Sequence, residues 1–206
     1  MTGFDGKPAS EVWLLAASTG GLRAVSAFLA SIRPLPGIGF LYAQHIETEQ
    51  AGQLVKMIER RCRWPVKMLS DGDYVAEGEV AVVSPGEEFA IRHDGTLKFA
   101  GRSWTGPYSP CIDAVAAQLV NYYRDGASMI VFTGMGDNGV EGSQLIEASG
   151  GSVWVQSPAT CIVSALPEAV LTRGAHHLLG DIATFADNFN QRRQVEEGCS
   201  LRAQGA

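Results

Sequence analysis

Short apolar runs rich in β-branched residues alternate along this chain with longer stretches whose apolar positions recur at helical spacing. That alternation is the pattern of successive βα units and a mostly parallel sheet, so the expected class is α/β. Strands are predicted at 12–17, 40–44, 66–69, 129–133, 152–156 and 177–179, and helices near 22–32, 51–62, 110–124, 139–148, 164–173 and 182–195. Ser109-Pro110 reads as an N-cap followed by proline at the first helical position. Residues 79–100 differ: EVAVVSP and FAIRHDGTLKF alternate around Asp94-Gly95, a dipeptide favoured by type I′ turns, and predict a β-hairpin beside the main sheet.

The 206 residues fit a single domain with one full-sized core. Residues 11–195 are its expected extent, after an N-terminal extension at 1–10 and before a polar, glycine-dotted tail at 196–206 that is expected to fray. A net charge of −6 and a pI near 5.2 argue against nucleic acid, which needs a clustered basic face. The basic clusters Arg60-Arg61-Arg63 and Arg192-Arg193 read as solvated helix faces. No apolar run approaches the roughly 18 residues that would span a bilayer, so no membrane insertion is expected. Cys62, Cys111, Cys161 and Cys199 form no CxxC pair and no signal peptide is visible. A reducing cytoplasm is therefore the expected compartment, with neither a metal nor a cofactor.

In a parallel sheet wrapped by helices every strand delivers its carboxyl end to one edge, where ligand sites gather. LLAASTGGL runs from a strand into Ser18, Thr19, Gly20 and Gly21, exposing a serine beside the free N–H groups of a helix start. The same residues also serve as an ordinary cap and turn. FLYAQHIE ends a strand on Gln44 and His45, a histidine that taken alone reads as structural or solvated. MIVFTGMGDNG opens into a loop with glycines at 134, 136 and 139 but contains neither GxGxxG nor GxxxxGK[ST], which leaves a nucleotide role unsupported. Together these tips hold a hydroxyl, an imidazole and an amide or acid, the inventory of a serine hydrolase. The chain order and the missing GxSxG separate it from the α/β-hydrolases. Asp113 and Glu141 read as acids suited to helix starts. His93, His176 and His177 show no visible partner and no metal-ligand spacing.

The ordered segments AASTGGL, YAQHIE, SDGDYVAEGEVAVVSPG, SPCIDAV, FTGMGDNGVEG and GGSVWVQSPATCIVSALPEAV resemble the successive motifs of the chemotaxis receptor protein-glutamate methylesterase family, over residues 11–189. The resemblance implies a doubly wound, mostly parallel sheet with helices on both faces and a small β-hairpin. It also implies hydrolysis of glutamate γ-methyl esters on the cytoplasmic helices of chemoreceptors and, as in some members, glutamine deamidation. Motif by motif it puts the nucleophile on Ser18, the general base on His45 and the oxyanion donors on backbone amides around Thr19 and Met135. The family's triad aspartate is the third residue after the methionine of GMG; here that residue is Asn138, preceded by Asp137. Ala16, Leu22, Glu47 and Ala165-Leu166-Pro167 also depart from the family pattern. By that resemblance, full-length relatives usually carry an N-terminal receiver domain, and none is expected in this chain. The resemblance thus implies an excised catalytic domain or a different regulation, with a separate receiver domain as a candidate partner.

In a serine triad the carboxylate accepts the Nδ1 proton of histidine and stabilises the imidazolium that forms. An asparagine can accept through its carbonyl, yet its NH2 can equally donate to Nδ1 and fix the proton on Nε2. In a serine protease the Asp-to-Asn change costs about 10⁴ in kcat. Three readings follow. One is a methylesterase in which Asn138, or Asp137 after a shift of the loop, orients His45. Another is a catalytically impaired adaptor or receptor-binding module that keeps the cleft, and the last is a glycine-loop small-molecule binder.

Overall fold

Strand β1 (Glu11–Ala17) uses both phases of its alternation. Val12, Leu14 and Ala16 enter one buried cluster, while Trp13, Leu15 and Ala17 enter another. A strand apolar on both sides belongs at the centre of a parallel sheet covered on both faces. In the computed structural model, which describes residues 6–203 and side chains through Arg192, β1 has that place. Beside it lie β2 (Ile38–Gln44) and β7 (Ala127–Val131), both buried throughout. With β3 (Val66–Met68), β4 (Val80–Val82), β8 (Val153–Gln156) and β9 (Leu178–Gly180), they form a seven-stranded sheet in the order β3-β4-β2-β1-β7-β8-β9. Every pairing in it is parallel.

Helices α1 (Gly21–Ser31), α2 (Thr48–Glu59) and α6 (Ile182–Ala203) cover one face, where the core is aromatic. Phe28 of α1 lies 5.9 Å from the rings of Phe40, Phe132 and Phe189. Helices α3 (Ile112–Tyr123), α4 (Val140–Ala148) and α5 (Ala165–Arg173) cover the opposite face together with an antiparallel pair, β5 (Phe89–Ile91) and β6 (Leu97–Phe99). The expected doubly wound α/β architecture with its hairpin is therefore the observed one.

Several local expectations are corrected. Val80–Val82 is not part of the hairpin but inserts between β3 and β2, because all three residues are buried and need cover on both faces. The hairpin turn is not type I′: Gly95 alone takes a positive φ, 84°, and Gly95 N–H donates to the Arg92 carbonyl, which makes a longer loop with the glycine at its bulge. Asp94 instead accepts from the N–H and hydroxyl of Thr96. Ser109-Pro110 does not open α3; that helix begins at Ile112 after Cys111. Strand β7 ends at Val131, which leaves Thr133 in the loop beyond it.

Arg192 is more than a solvated charge, since it pairs with Glu11 at 2.7 Å and lies over the Trp13 ring. Arg60, Arg61 and Arg63 are exposed as expected, but they follow α2, which ends at Glu59, rather than form a face of it. His177 does have a partner: its Nδ1 accepts from the Val153 N–H at 3.1 Å. Cys62, Cys111 and Cys161 are free thiols. The side chains of Arg193 and Cys199, and residues 1–5 and 204–206 of the expected extension and tail, lie outside the described residues.

Phe28 is fully buried at the centre of the aromatic face. Phe28→Ala is expected to destabilise the fold by about 3–5 kcal/mol, read as a lower denaturant midpoint at unchanged slope.

Candidate active site

Parallel register brings the tips of β2, β1 and β7 side by side. Ala17 pairs with Gln44, and Ala16 with Val131. The ladder then continues past the strands: His45 N–H donates to the Ala17 carbonyl and Ser18 N–H to the Thr133 carbonyl, each at 3.1 Å. Ser18 and His45 thus occupy matching positions just past the ends of adjacent strands. By the two-residue alternation both follow Ala16 and Ala43 toward the face covered by α3 and α4.

The opposite phase holds this edge together. Gln44 is buried; its Nε2 donates to the carbonyls of Ser18 at 2.7 Å and His45 at 3.1 Å, while its Oε1 accepts from the buried Tyr42 hydroxyl at 2.6 Å. The loop after β7 closes directly onto the serine. A Cβ at Gly134 would stand 2.8 Å from Ser18 Cβ and 3.0 Å from its backbone nitrogen, so only glycine lets the chain pass there. Thr133 Oγ1 accepts from Val163 N–H at 2.9 Å, and its main-chain N–H donates to the buried Gln156 side chain at 2.9 Å.

Ser18 is 8% exposed, and its hydroxyl makes no hydrogen bond among the described residues. It shares a cleft of about 400 Å³ with His45, Thr19, Arg23 and Arg61. His45 also walls an adjoining cleft of about 580 Å³ with Glu47, Thr48 and Tyr108. Ser18 and His45 face the same cleft without bonding one another. The backbone N–H groups of Thr19 and Met135 donate to no protein acceptor among the described residues.

The imidazole is held from two sides. Tyr108 stacks on it at 4.9 Å with an interplanar angle of 17°. Asn138, 5% exposed at the end of the glycine loop, brings Oδ1 to 3.1 Å from His45 Nε2. The expectation of contact at Nδ1 is corrected: in the neutral ring the carbonyl requires a proton on Nε2, which leaves Nδ1 with the lone pair. Asn138 Oδ1 also accepts from Ile112 N–H at 2.6 Å, and Nδ2 donates to Asp113 at 2.8 Å and approaches Cys111 Sγ at 3.3 Å. The first N–H of α3 is thereby satisfied from the neighbouring loop rather than by the helix's own cap.

Asp137 does not take over the orienting place. Its carboxylate turns outward, 3.0 Å from Arg173 and 3.4 Å from the Tyr108 hydroxyl, and the Arg173 bond holds its pKa below the usual carboxylate range. The sequence reading missed Gln44, Tyr108 and Gln156 as parts of the site. The glutamines carried a signal, being polar residues at the ends of otherwise apolar strands; Tyr108 carried none. Burial pushes the His45 pKa down, and the bond to Asn138 offsets part of that shift. That direction favours the neutral ring at neutral pH.

Fold and cluster define a doubly wound α/β protein whose sheet edge, at the carboxyl ends of its strands, combines a serine, an imidazole and an amide. The family model for CheB methylesterase matches residues 13–188, and the chain belongs to that family. It is 27% identical over 170 residues to protein-glutamate methylesterase/protein-glutamine glutaminase 2 of Pseudomonas savastanoi pv. phaseolicola, covering 81% of this chain and 44% of that protein. It is 29% identical over 154 residues to the corresponding protein of the group 1 operon of Pseudomonas putida, covering 75% of this chain and 42% of that one. The chain thus spans less than half the length of these two curated relatives. The crystal structure of the Thermotoga maritima CheB methylesterase catalytic domain superposes with a TM-score of 0.78 at 19% identity, covering 87% of this chain and 96% of that one, a likeness of fold.

Because Tyr108 covers one face of His45, Tyr108→Ala is expected to hydrate the ring and raise its pKa toward the ordinary value near 6.5, followed by NMR titration. The sign for stability follows. With the folded pKa below the unfolded one, the unfolded chain binds more protons, and the fold loses stability as pH falls from about 6.5 through the folded value. The variant should lose less across that window.

Proposed function

We propose that this chain is the catalytic domain of a protein-glutamate methylesterase, a serine hydrolase acting on γ-methyl esters of chemoreceptor glutamates. The observation that carries the reading is the placement of Ser18 and His45 on matching strand tips, with Asn138 holding the far nitrogen of the imidazole. In this reading His45 Nδ1 takes the Ser18 proton as Oγ attacks the ester carbonyl, and the imidazolium then gives that proton to the departing methoxide. Methanol leaves an acyl-serine, and water, activated by the same nitrogen, releases the glutamate carboxylate and restores Ser18. The unbonded N–H groups of Thr19 and Met135 receive the oxyanion. Asn138 retains Nε2–H throughout, so the basic nitrogen never changes.

The serine–imidazole contact forms in the substrate complex, as catalytic hydrogen bonds commonly tighten there. Neither cofactor nor metal enters the reaction. Deamidation of a receptor glutamine uses the same acyl-serine with ammonia as leaving group, in keeping with the glutaminase in the relatives' names. The reading places the protein in the cytoplasm, with methylated receptor helices as substrate and a receiver domain as partner. No helix among the described residues is long and apolar enough to cross a membrane.

An amide where the family resemblance leads one to expect an acid, and a serine without a bonded base, favour a second reading: a receptor-binding module that has lost turnover. A fluorophosphonate probe and methanol release from methylated receptor separate the two. The esterase reading expects covalent labelling at Ser18 and methanol release, both lost in Ser18→Ala while receptor binding persists. Receptor binding with neither labelling nor methanol release in the parent chain would establish the binding module.

A further inference from the structure

Asp113, in the first turn of α3, is committed on both oxygens: Oδ1 accepts from Gly142 N–H at 2.7 Å and Oδ2 from Asn138 Nδ2 at 2.8 Å. Two N–H donors on two oxygens suit a carboxylate, whose oxygens only accept. On the far side of the amide, Ile112 N–H can only donate, so the group 2.6 Å from it must be the Asn138 oxygen. Partners of opposite character therefore specify both ends of the Asn138 amide. A flip would set NH2 against an N–H and the carbonyl against a carboxylate, at 2.6 and 2.8 Å. The ambiguity of an asparagine beside a histidine is removed from outside the pair.

We propose that Asp113 is a positioning residue for the reaction: it locks the Asn138 amide so that its carbonyl always faces His45 Nε2, and it supplies, one hydrogen bond removed, the negative charge that Asn138 lacks. As His45 becomes an imidazolium, the chain carboxylate–amide–imidazolium polarises in one direction, each bond strengthening the next. Burial, with the nearby Glu141 charge, leaves the Asp113 carboxyl pKa above its ordinary value, while the bonds from Gly142, Asn138 and Gly139 pull it back toward ionisation. The other charged groups about this chain are Glu141 on α4, Glu47, Arg23 and Arg61 in the clefts beside His45, and Asp137 with Arg173 beyond Tyr108. All of them stay in place in the variants below.

The arrangement predicts a charge swap. In Asp113→Asn the new amide must offer its oxygen to Gly142 N–H, so its NH2 meets the NH2 of Asn138 and the lock is lost. In Asn138→Asp two carboxylates occupy the 2.8 Å contact and must share a proton. In the double variant Asp113→Asn/Asn138→Asp every bond finds a donor and an acceptor again. The amide now at position 113 bridges Gly142 N–H and the carboxylate now at position 138, and that carboxylate faces Ile112 N–H and His45.

The test is nitrogen-15 NMR of the His45 ring in the four chains, alongside kcat and KM for hydrolysis of a γ-methyl-glutamyl receptor peptide. The parent and the double variant should show a neutral ring protonated on Nε2. Asp113→Asn should show mixed tautomers and a lower His45 pKa, with kcat down about 100-fold and KM little changed. The double variant should recover kcat to the parent level or above, which a merely structural Asp113 would not produce. A folded Asp113→Asn chain with the parent's tautomer and kcat, or a double variant no better than Asp113→Asn, overturns the proposal. Should Asp113→Asn fail to fold, the double variant decides: folded with Nε2–H it supports the proposal, unfolded or mixed in tautomer it overturns it. The rate arm rests on the esterase reading and the imidazole arm does not, so a parent chain that releases no methanol would sink that reading and leave the ring spectra to judge Asp113.

Discussion

The main-chain ladder that runs on past the ends of β2, β1 and β7 is the constraint on which the site depends. Its two outermost bonds, His45 N–H to Ala17 and Ser18 N–H to Thr133, fix the serine and the imidazole by backbone rather than by side-chain packing. Side chains alternate with period two, so a slip of one residue would send Ser18 or His45 to the α1 and α2 face and away from Asn138. The buried alternation of β1 forbids the slip, since it would exchange Trp13 and Leu15 for Val12 and Leu14 in two differently shaped cores. The large aromatic core on one face therefore has a functional consequence on the other: it holds the register.

The sheet edge was legible because its information is local. Apolar runs mark β1, β2 and β7, and the polar residues that end them mark the tips. What escaped the sequence joins residues far apart in the chain. Asp113 meets Asn138 across 25 positions and Asp137 reaches Tyr108 across 29, and neither spacing leaves a periodic signature. The choice between Asp137 and Asn138 was undecidable from the loop's composition. Arg173 and Tyr108 draw the carboxylate outward, while the N-terminus of α3 and Asp113 draw the amide inward. Val80–Val82 was misplaced for a related reason, since a three-residue apolar run fits either a hairpin or a buried strand and only its cover tells which. Arg192 likewise read as surface until α6 laid it across Trp13 and Glu11.

The amide at 138 also joins helix packing to the imidazole. Helix α3 starts without a side-chain cap of its own, and its first N–H would be left unsatisfied in a buried place if Asn138 did not accept it. The same oxygen serves His45 Nε2, so the position of the helix start and the tautomer of the ring are set by one atom. A buried amide carries a smaller desolvation cost than a buried carboxylate and needs no counter-charge. With Asp113 already placed behind it, a neutral group at 138 avoids setting two charges of one sign in contact while still presenting an acceptor to the ring. The negative charge is thereby moved back one bond, to a residue whose two oxygens are both donor-bound, and the group touching His45 is neutral but fixed in direction. Under the proposed esterase reading that arrangement is consistent: burial favours the neutral imidazole in the resting state, and the polarised amide would stabilise the charge that appears only as the reaction proceeds.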